Sequence, residues 1–344
     1  MKLFEQISSV ENLYESWREF RCGKRSKPDV QDFERHLEQN LFRLHDALRH
    51  QTYRHSPYAS FSISDPKLRR IHKATVSDRI VHRALSRMLM PIFNPRFIHD
   101  SYACRPGKGT HAAVLRLERF ARTVSKNFTR PCIALKCDVR KFFDSIDHTI
   151  LLDLIRKTVS DPQALWLIGI VVESFTVESS QERERESRPH GLPLGNLTSQ
   201  LFANIYLNEL DQFVKHTLRM KCYLRYCDDF VILHNNRNML EQLIEPLRRF
   251  LDERLCLTLH PKKTIIRKLT HGIDFLGYVT LPNYRVLRTS TKRRMLQHIT
   301  PENLPSYLGL LKHCRGYALE RELYSKLLKP SEQIPRDFLD EWEQ

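Results

Sequence analysis

The chain has 344 residues, too many for one small core, and its 41% hydrophobic and 28% charged residues mark a folded chain rather than a disordered one. Lys and Arg number 56 against 40 Asp and Glu, a formal charge of +16 that suits a polyanionic partner, nucleic acid before an anionic membrane. No apolar run approaches the roughly 18 residues of a spanning helix. Met1 to Ser16 carries Glu5, Glu11 and Glu15 and lacks a signal-peptide core, so a cytoplasmic protein without a membrane partner is expected.

Residues up to Ser60 read as helical and charged, with Phe33, Leu37, Leu41, Leu44 and Leu48 at helical spacing. Pro57 and Pro66 bracket a short extended piece, and Val76 to Met90 returns to helix, ended by Pro91 and Pro95. Cys132 to Asp138 alternates as a strand, with Ile133, Leu135 and Cys137 on one face and Lys136 and Asp138 on the other. A helix from His148 to Val159 follows, then an exposed Glu/Arg/Ser loop from Glu178 to Pro189. Leu197 to Leu218 reads as a long helix, Cys222 to Leu233 as an apolar hairpin, and Met239 to Leu255 as a helix burying Leu240, Leu243, Ile244, Leu247, Phe250 and Leu251. Leu257–Leu259 and Ile273–Val279 read as short strands, and the chain from about 286 is basic and helical. This order predicts an α+β fold with helices on one face of an antiparallel sheet. The eight cysteines show no C-x-x-C spacing and the 16 histidines no H-E-x-x-H, so buried free thiols are expected and no zinc.

Chemistry concentrates in two acidic segments. Asp228-Asp229 interrupts the apolar hairpin, where paired carboxylates are costly unless solvent or a cation neutralises them. Asp138 ends the other apolar strand, followed by Val139-Arg140-Lys141-Phe142-Phe143-Asp144. One acid at a strand end and two at a hairpin tip can converge on two Mg2+ ions, which take hard oxygen ligands and stabilise both oxygens of a phosphoryl displacement. Asp144 and Asp147 compete with Asp138 as acids, and capping of the next helix is the more economical role for Asp147.

Asp138-x-x-x-x-Phe143 with Tyr226-Cys227-Asp228-Asp229 resembles palm motifs A and C of reverse transcriptases. Gly191-Leu192-Pro193-Leu194-Gly195-Asn196-Leu197-Thr198-Ser199-Gln200 looks like their motif B, Lys262-Lys263-Thr264 like motif D, and Phe275-Leu276-Gly277-Tyr278 like the primer-grip motif E. Arg69-Arg70-Ile71, Asp78-Arg79 and Ser101 to Gly107 look like the fingers motifs of group II intron-type bacterial enzymes. The resemblance implies a right-hand polymerase: an N-terminal helical region over 1–65, fingers over 66–131, palm over 132–285 and a helical thumb over 286–344.

It also implies roles. Asp138 and Asp228 would ligate two Mg2+ ions with the Val139 carbonyl, and Asp229 would support them. Lys263 would act as general acid toward pyrophosphate, an ordinary surface lysine beside Lys262 being its other reading. Phe143 would be the steric gate against a ribose 2′-hydroxyl, with Phe142 as core. Arg69 would hold the incoming triphosphate, with Arg70 and Lys73 as rivals. Gly191 and Gly195 would let backbone approach the template–primer duplex, and Phe275, Leu276, Gly277 and Tyr278 would contact it. Arg285, Arg288, Lys292, Arg293 and Arg294 would begin a thumb that tracks phosphates.

Motif B separates subclasses. An aliphatic Leu194, then Gly195-Asn196-Leu197-Thr198-Ser199-Gln200, is similar to the pattern of diversity-generating retroelement enzymes. That resemblance implies error-prone copying of a template-repeat RNA into cDNA from dNTPs, with errors at adenines, beside a small basic oligomeric accessory variability protein. A leucine there makes no hydrogen bond near the nucleotide, which relaxes discrimination; packing under the fingers is its other reading. The rival readings are a retron, group II-type or defence-linked reverse transcriptase, and an inactive nucleic-acid-binding scaffold, whose signature would be a broken acid triad. The triad here is intact.

Overall fold

The computed structural model describes residues 2–64, 68–177 and 188–327. The expected loop from Glu178 to Pro189 therefore falls mostly outside the described residues, as does Pro66.

Four helices open the chain: α1 (Leu3–Ser8), α2 (Val10–Arg21), α3 (Pro28–Arg35) and α4 (Leu37–Arg49). The apolar stripe from Phe33 to Leu48 spans two helices rather than one, because His36 leaves helical geometry at φ −121° and ψ 37°. Phe33, Leu41, Leu44 and Leu48 are nonetheless buried, against α5 (Val76–Phe93) and its neighbours. Between α4 and α5 stands an antiparallel hairpin, β1 (Ala59–Ile63) and β2 (Arg69–Lys73). Its second strand, Arg-Arg-Ile-His-Lys, has no apolar alternation to announce it.

The Thr75 hydroxyl accepts from the Asp78 amide to start α5. The helix runs past its expected end at Met90, with Pro91 inside its last turn. The missing proline N–H forfeits one bond near the C-terminus, but the Asn94 amide closes on the Met90 carbonyl and Leu89 and Phe93 are buried, so the helix continues.

The central sheet joins β3 (Ile133–Asp138), β4 (Tyr223–Tyr226), β5 (Asp229–His234) and β6 (Ile265–Lys268) in the order β4-β5-β3-β6, all antiparallel. Both faces are covered. Ile133, Leu135 and Cys137 of β3, with Phe230 and Ile232 of β5, belong to the main core. Ala134, Leu224, Val231 and Leu233 face a second core with Val114 and Leu117 of α6 (Thr110–Val124). Helices thus lie on both faces, not one. The main core also takes in α7 (His148–Arg156), α8 (Pro162–Glu173), α9 (Leu197–Gln212) and α10 (Arg237–Leu255). The α8 helix shows no amphipathic stripe in sequence because Leu-Trp-Leu-Ile-Gly-Ile-Val-Val is apolar on every side. The α9 helix continues as a π-helical turn from Phe213 to Thr217, close to its expected end.

Leu257–Leu259 is not a strand; it makes one bridge, Leu259 to Val139, and β6 takes the sheet edge instead. The stretch expected as one strand from Ile273 to Val279 is broken by Leu276 at φ 52° and Gly277 at φ 87°. It forms β7 (Ile273–Phe275) and β8 (Tyr278–Leu281), joined by β9 (Tyr284–Leu287) into a three-stranded sheet. The helices α11 (Thr289–His298), α12 (Leu304–Leu311) and α13 (Tyr317–Leu327) close on a small core of Met295, Leu311, Leu319 and Leu323. All eight cysteines are free, but Cys22 and Cys104 are exposed rather than buried.

Candidate active site

The sheet register sets Asp138 directly opposite Asp229 on one face. Like charges so placed repel. Asp228 lies in the β4–β5 turn after Cys227, whose φ of 55° is unusual for a residue with a side chain. The Val139 amide donates to the Asp228 carbonyl at 3.3 Å, tying the two acidic segments together. Burial pushes both the Asp228 and Asp229 carboxyls up from their ordinary range. Asp138 pushes the same way on each, while Lys136 and Lys263 partly offset the rise at Asp229. Asp229 Oδ1 is buried without a hydrogen-bond partner, and the Lys136 ammonium stands 3.6 Å away. Burial and the neighbouring carboxylates likewise push the Cys137 thiol up to about 12, which leaves it unreactive.

Lys263 reaches the same face from the turn after α10. Its ammonium donates to both oxygens of Asp138 at 2.8 Å. That turn is tied to Asp138 itself, since the His260 amide donates to the Asp138 carbonyl at 2.8 Å. Lys262 is exposed beside it. Asp147 caps α7 by accepting from the Ile150 amide at 3.0 Å, the economical role expected of it.

Behind the turn stands a network the sequence did not announce. Arg225 is fully buried and forms a fork on Asp211, at 2.8 Å and 2.6 Å. It also donates to Asn204, to the Ser101 hydroxyl and to the Cys227 carbonyl. Charged residues in a strand read as solvent-facing, and only the spacing of Arg225 one residue before Tyr226 could have drawn notice. Lys136 is the other omission; besides facing Asp229, it donates to the Asp274 carbonyl at 3.0 Å.

A cleft of about 630 Å³ lies between the β1–β2 hairpin and the segment leading into α9, lined by Arg69, Arg70, His72, Asp144, Phe175 and Leu194 among others. Lys73 is turned away from it, paired with Asp29 at 2.8 Å. Phe143 is half-buried, while Phe142 is core at 2% exposure, its ring edge-on to Phe143. The Leu194 carbonyl accepts from the His72 amide at 3.2 Å, and the Asn196 side chain donates to the His72 carbonyl at 3.1 Å. Gln200 is exposed on the first turn of α9.

Three expectations change. Gly191 has φ 104°, and a Cβ there would stand 2.6 Å from Val177 Cγ2; at Gly195, φ 106°, it would stand 3.1 Å from Ile71 Cγ2. The close approach these glycines permit is to the chain's own β2 and Val177. Phe275 and Tyr278 are buried in the second core, and the Tyr278 hydroxyl donates to the Leu310 carbonyl, whereas the Leu276-Gly277 turn between them is half-buried. The basic run is partly neutralised: Arg285 pairs with Glu118, Arg288 with Asp274 and Lys292 with Glu322.

Among the described residues, no three His, Cys, Asp or Glu side chains are placed to hold a metal ion by themselves. The donor character still fits a hard divalent cation. Asp138, Asp228 and Asp229 offer only oxygens, one of them buried without a partner, in a site whose burial already disfavours bare negative charge.

Fold and site together define a right-hand polymerase. Two solved telomerase structures share the fold, each with a TM-score of 0.51. One, from Candida albicans with a telomeric RNA fragment, is 13% identical over 71% of this chain and 50% of that one. The other, from Candida tropicalis, is 12% identical over 74% and 60%. Residues 64–280 match the family described as reverse transcriptase (RNA-dependent DNA polymerase), and the chain belongs to that family. Its relatives include the protein YkfC of Escherichia coli K12, 27% identical over 62% of this chain and 64% of the relative. The group II intron-encoded protein LtrA of Lactococcus lactis is 24% identical over 75% and 51%. The chain thus spans between about half and two thirds of the length of these relatives. Among the described residues no helix is long and apolar enough to cross a membrane.

Proposed function

We propose that the chain is an RNA-directed DNA polymerase that adds a dNTP to a primer 3′-hydroxyl on an RNA template and releases pyrophosphate. The observation that carries this reading is the convergence of Asp138, Asp229 and the Asp228 turn with Lys263 on one sheet face. We assign 66–131 to fingers, 132–285 to palm and 286–344 to thumb, with the helical region 1–65 before them.

Asp138, Asp228, Asp229 and the Val139 carbonyl would hold two Mg2+ ions, which supply Lewis-acid stabilisation of the attacking and leaving oxygens. Arg69 and Arg70 bind the triphosphate across the cleft, and Phe143 excludes a 2′-hydroxyl. Lys263 keeps a proton-bearing ammonium beside Asp138 for the departing pyrophosphate. The Leu276-Gly277 turn supports the primer. Most of the rate comes from positioning and electrostatics.

Within the family we favour the diversity-generating class, working on a template-repeat RNA with an accessory variability protein. What supports it is the run from Leu194 to Gln200, together with the Leu194 side chain on the cleft wall, where it offers the nucleotide no hydrogen bond. The likeness to an intron-encoded protein favours the second reading, a group II-type enzyme.

Primer extension on RNA tests the reaction, with Asp228→Ala/Asp229→Ala as control. Equal incorporation by both, or none by wild type with its cognate RNA, refutes the assignment. Sequencing the cDNA tests the class: errors concentrated at template adenines support the first reading, and a uniform low error rate the second. Leu194→Gln should lower adenine misincorporation, and an unchanged rate would remove Leu194 from the fidelity argument.

A further inference from the structure

The root of the β1–β2 hairpin is held by one face of α5. Tyr53 donates its hydroxyl to Asp78 Oδ1 at 2.7 Å, and the Ser56 amide donates to Asp78 Oδ2 at 3.3 Å. One turn further along α5, His82 Nε2 lies 3.0 Å from His55 Nε2, and His82 Nδ1 lies 2.5 Å from Thr198 Oγ1. Thr198 sits in the first turn of α9, inside motif B. His82 is 2% exposed and Thr198 1%, so water does not compete for these bonds.

Chemistry fixes the order of the protons. The Ser56 carbonyl only accepts, so His55 Nδ1, 2.6 Å away, carries a hydrogen. With that one hydrogen on its ring, His55 offers Nε2 as an acceptor, which requires N–H at His82 Nε2. His82 Nδ1 is left to accept from the Thr198 hydroxyl. Burial, with His55 nearby, drives the His82 pKa down to about 3 and keeps its ring neutral.

This chain joins the two walls of the nucleotide cleft. Arg69 and Arg70 come from β2, and Leu194 from the segment that enters α9. The backbone bonds of His72 to Leu194 and Asn196 cross the same joint near the surface, while His55, His82 and Thr198 cross it in the interior. We propose that His82 and Thr198 are positioning residues that latch the nucleotide-facing hairpin to the start of α9, holding the arginines in register with motif B. The inference rests on the nucleotide-cleft reading above.

Thr198→Val removes the donor and keeps the shape; Thr198→Ser keeps the donor. Thr198→Val should raise KM for dNTP about three- to tenfold, the range of one lost hydrogen bond, with kcat near wild type, and Thr198→Ser should restore KM. An unchanged KM, a Ser variant as impaired as Val, or a loss confined to kcat would overturn the latch. Nitrogen NMR of histidine-labelled protein, assigned by the signals lost in His82→Asn, gives a readout independent of activity. The expected tautomers are Nε2–H at His82 and Nδ1–H at His55. The opposite tautomers overturn the proposal even if Thr198→Val fails to fold. Absence of extension by wild type sinks the polymerase reading alone and leaves the latch to the tautomer measurement.

Discussion

Arg225 holds Asp211 through a two-bond fork, with neither side chain exposed, and extends a third bond at 3.1 Å to the carbonyl of Cys227. The Tyr223 hydroxyl donates to the same carboxylate at 2.6 Å. An unusual backbone conformation at Cys227 is thus anchored from inside the protein, and that residue sets the position of Asp228. The pair links the α9 scaffold to the Asp228 turn.

Stability and activity should separate here. Asp211→Ala leaves a buried guanidinium unpaired and should cost about 3–5 kcal/mol in urea unfolding. The double variant Arg225→Met/Asp211→Leu removes both charges and should recover most of that stability, yet stay impaired in primer extension because the Cys227 carbonyl has lost its donor. A stable, fully active double variant would show that the turn does not need the anchor.

Lys263 and a divalent cation at the proposed site would compete for Asp138, since both its oxygens accept from the lysine. Lys263→Gln should therefore tighten Mn2+ binding to the protein alone, measured by paramagnetic relaxation, while lowering kcat about 10²-fold through loss of a general acid. An incidental surface lysine would change neither quantity. Stripping divalent ions with a chelator should abolish extension, and returning Mg2+ should restore it.

The adjacent phenylalanines should behave differently. If half-buried Phe143 is the gate, as proposed, Phe143→Val should raise ribonucleotide incorporation relative to dNTP, with little change in melting temperature. Phe142→Ala cuts into the core and should cost about 3–5 kcal/mol without a specific gain in ribonucleotide use. Equal effects of the two on sugar selection would remove Phe143 from the gate.

Stability should fall on mild acidification through His82. Its pKa lies at about 3 in the fold against 6.5 unperturbed, so between these values the unfolded chain binds a proton that the native state refuses. The stabilisation is complete above the unfolded value and is lost as pH falls toward the folded one, by up to about 1.4 kcal/mol per unit. His148, also held down mainly by burial, acts in the same direction. The raised Asp228 and Asp229 carboxyls act oppositely: protonation favours the fold, so their contribution is lost as pH rises through the raised values. Urea midpoints between about pH 7 and pH 5 should fall more steeply for wild type than for His82→Asn. Parallel slopes would contradict this.

The acidic cluster and most of the helices were legible in the order of the residues alone. Asp138 and Asp229 stand in apolar strands and Asp228 in the adjoining turn, where carboxylates are conspicuous because burial makes them costly; most of the α10 stripe reads directly from its period, with Leu240, Leu243, Leu247 and Leu251 buried but Ile244 and Phe250 only half-buried. Asp147 as a cap was legible for the same reason: capping is local. Relations between distant segments were not legible there. That Lys263 grips Asp138 needed the turn that returns to it, and Arg225 became an internal anchor only because Asp211 meets it from α9. Strand β2 joined the hairpin through its partner β1, not through any alternation of its own. Gly191, Phe275 and Tyr278 looked exposed to a duplex in the linear motif and are instead committed to the chain's own packing. The physical reason is that periodicity reports how one element partitions between water and core, whereas pairing, desolvation and register depend on which other element arrives at the same place.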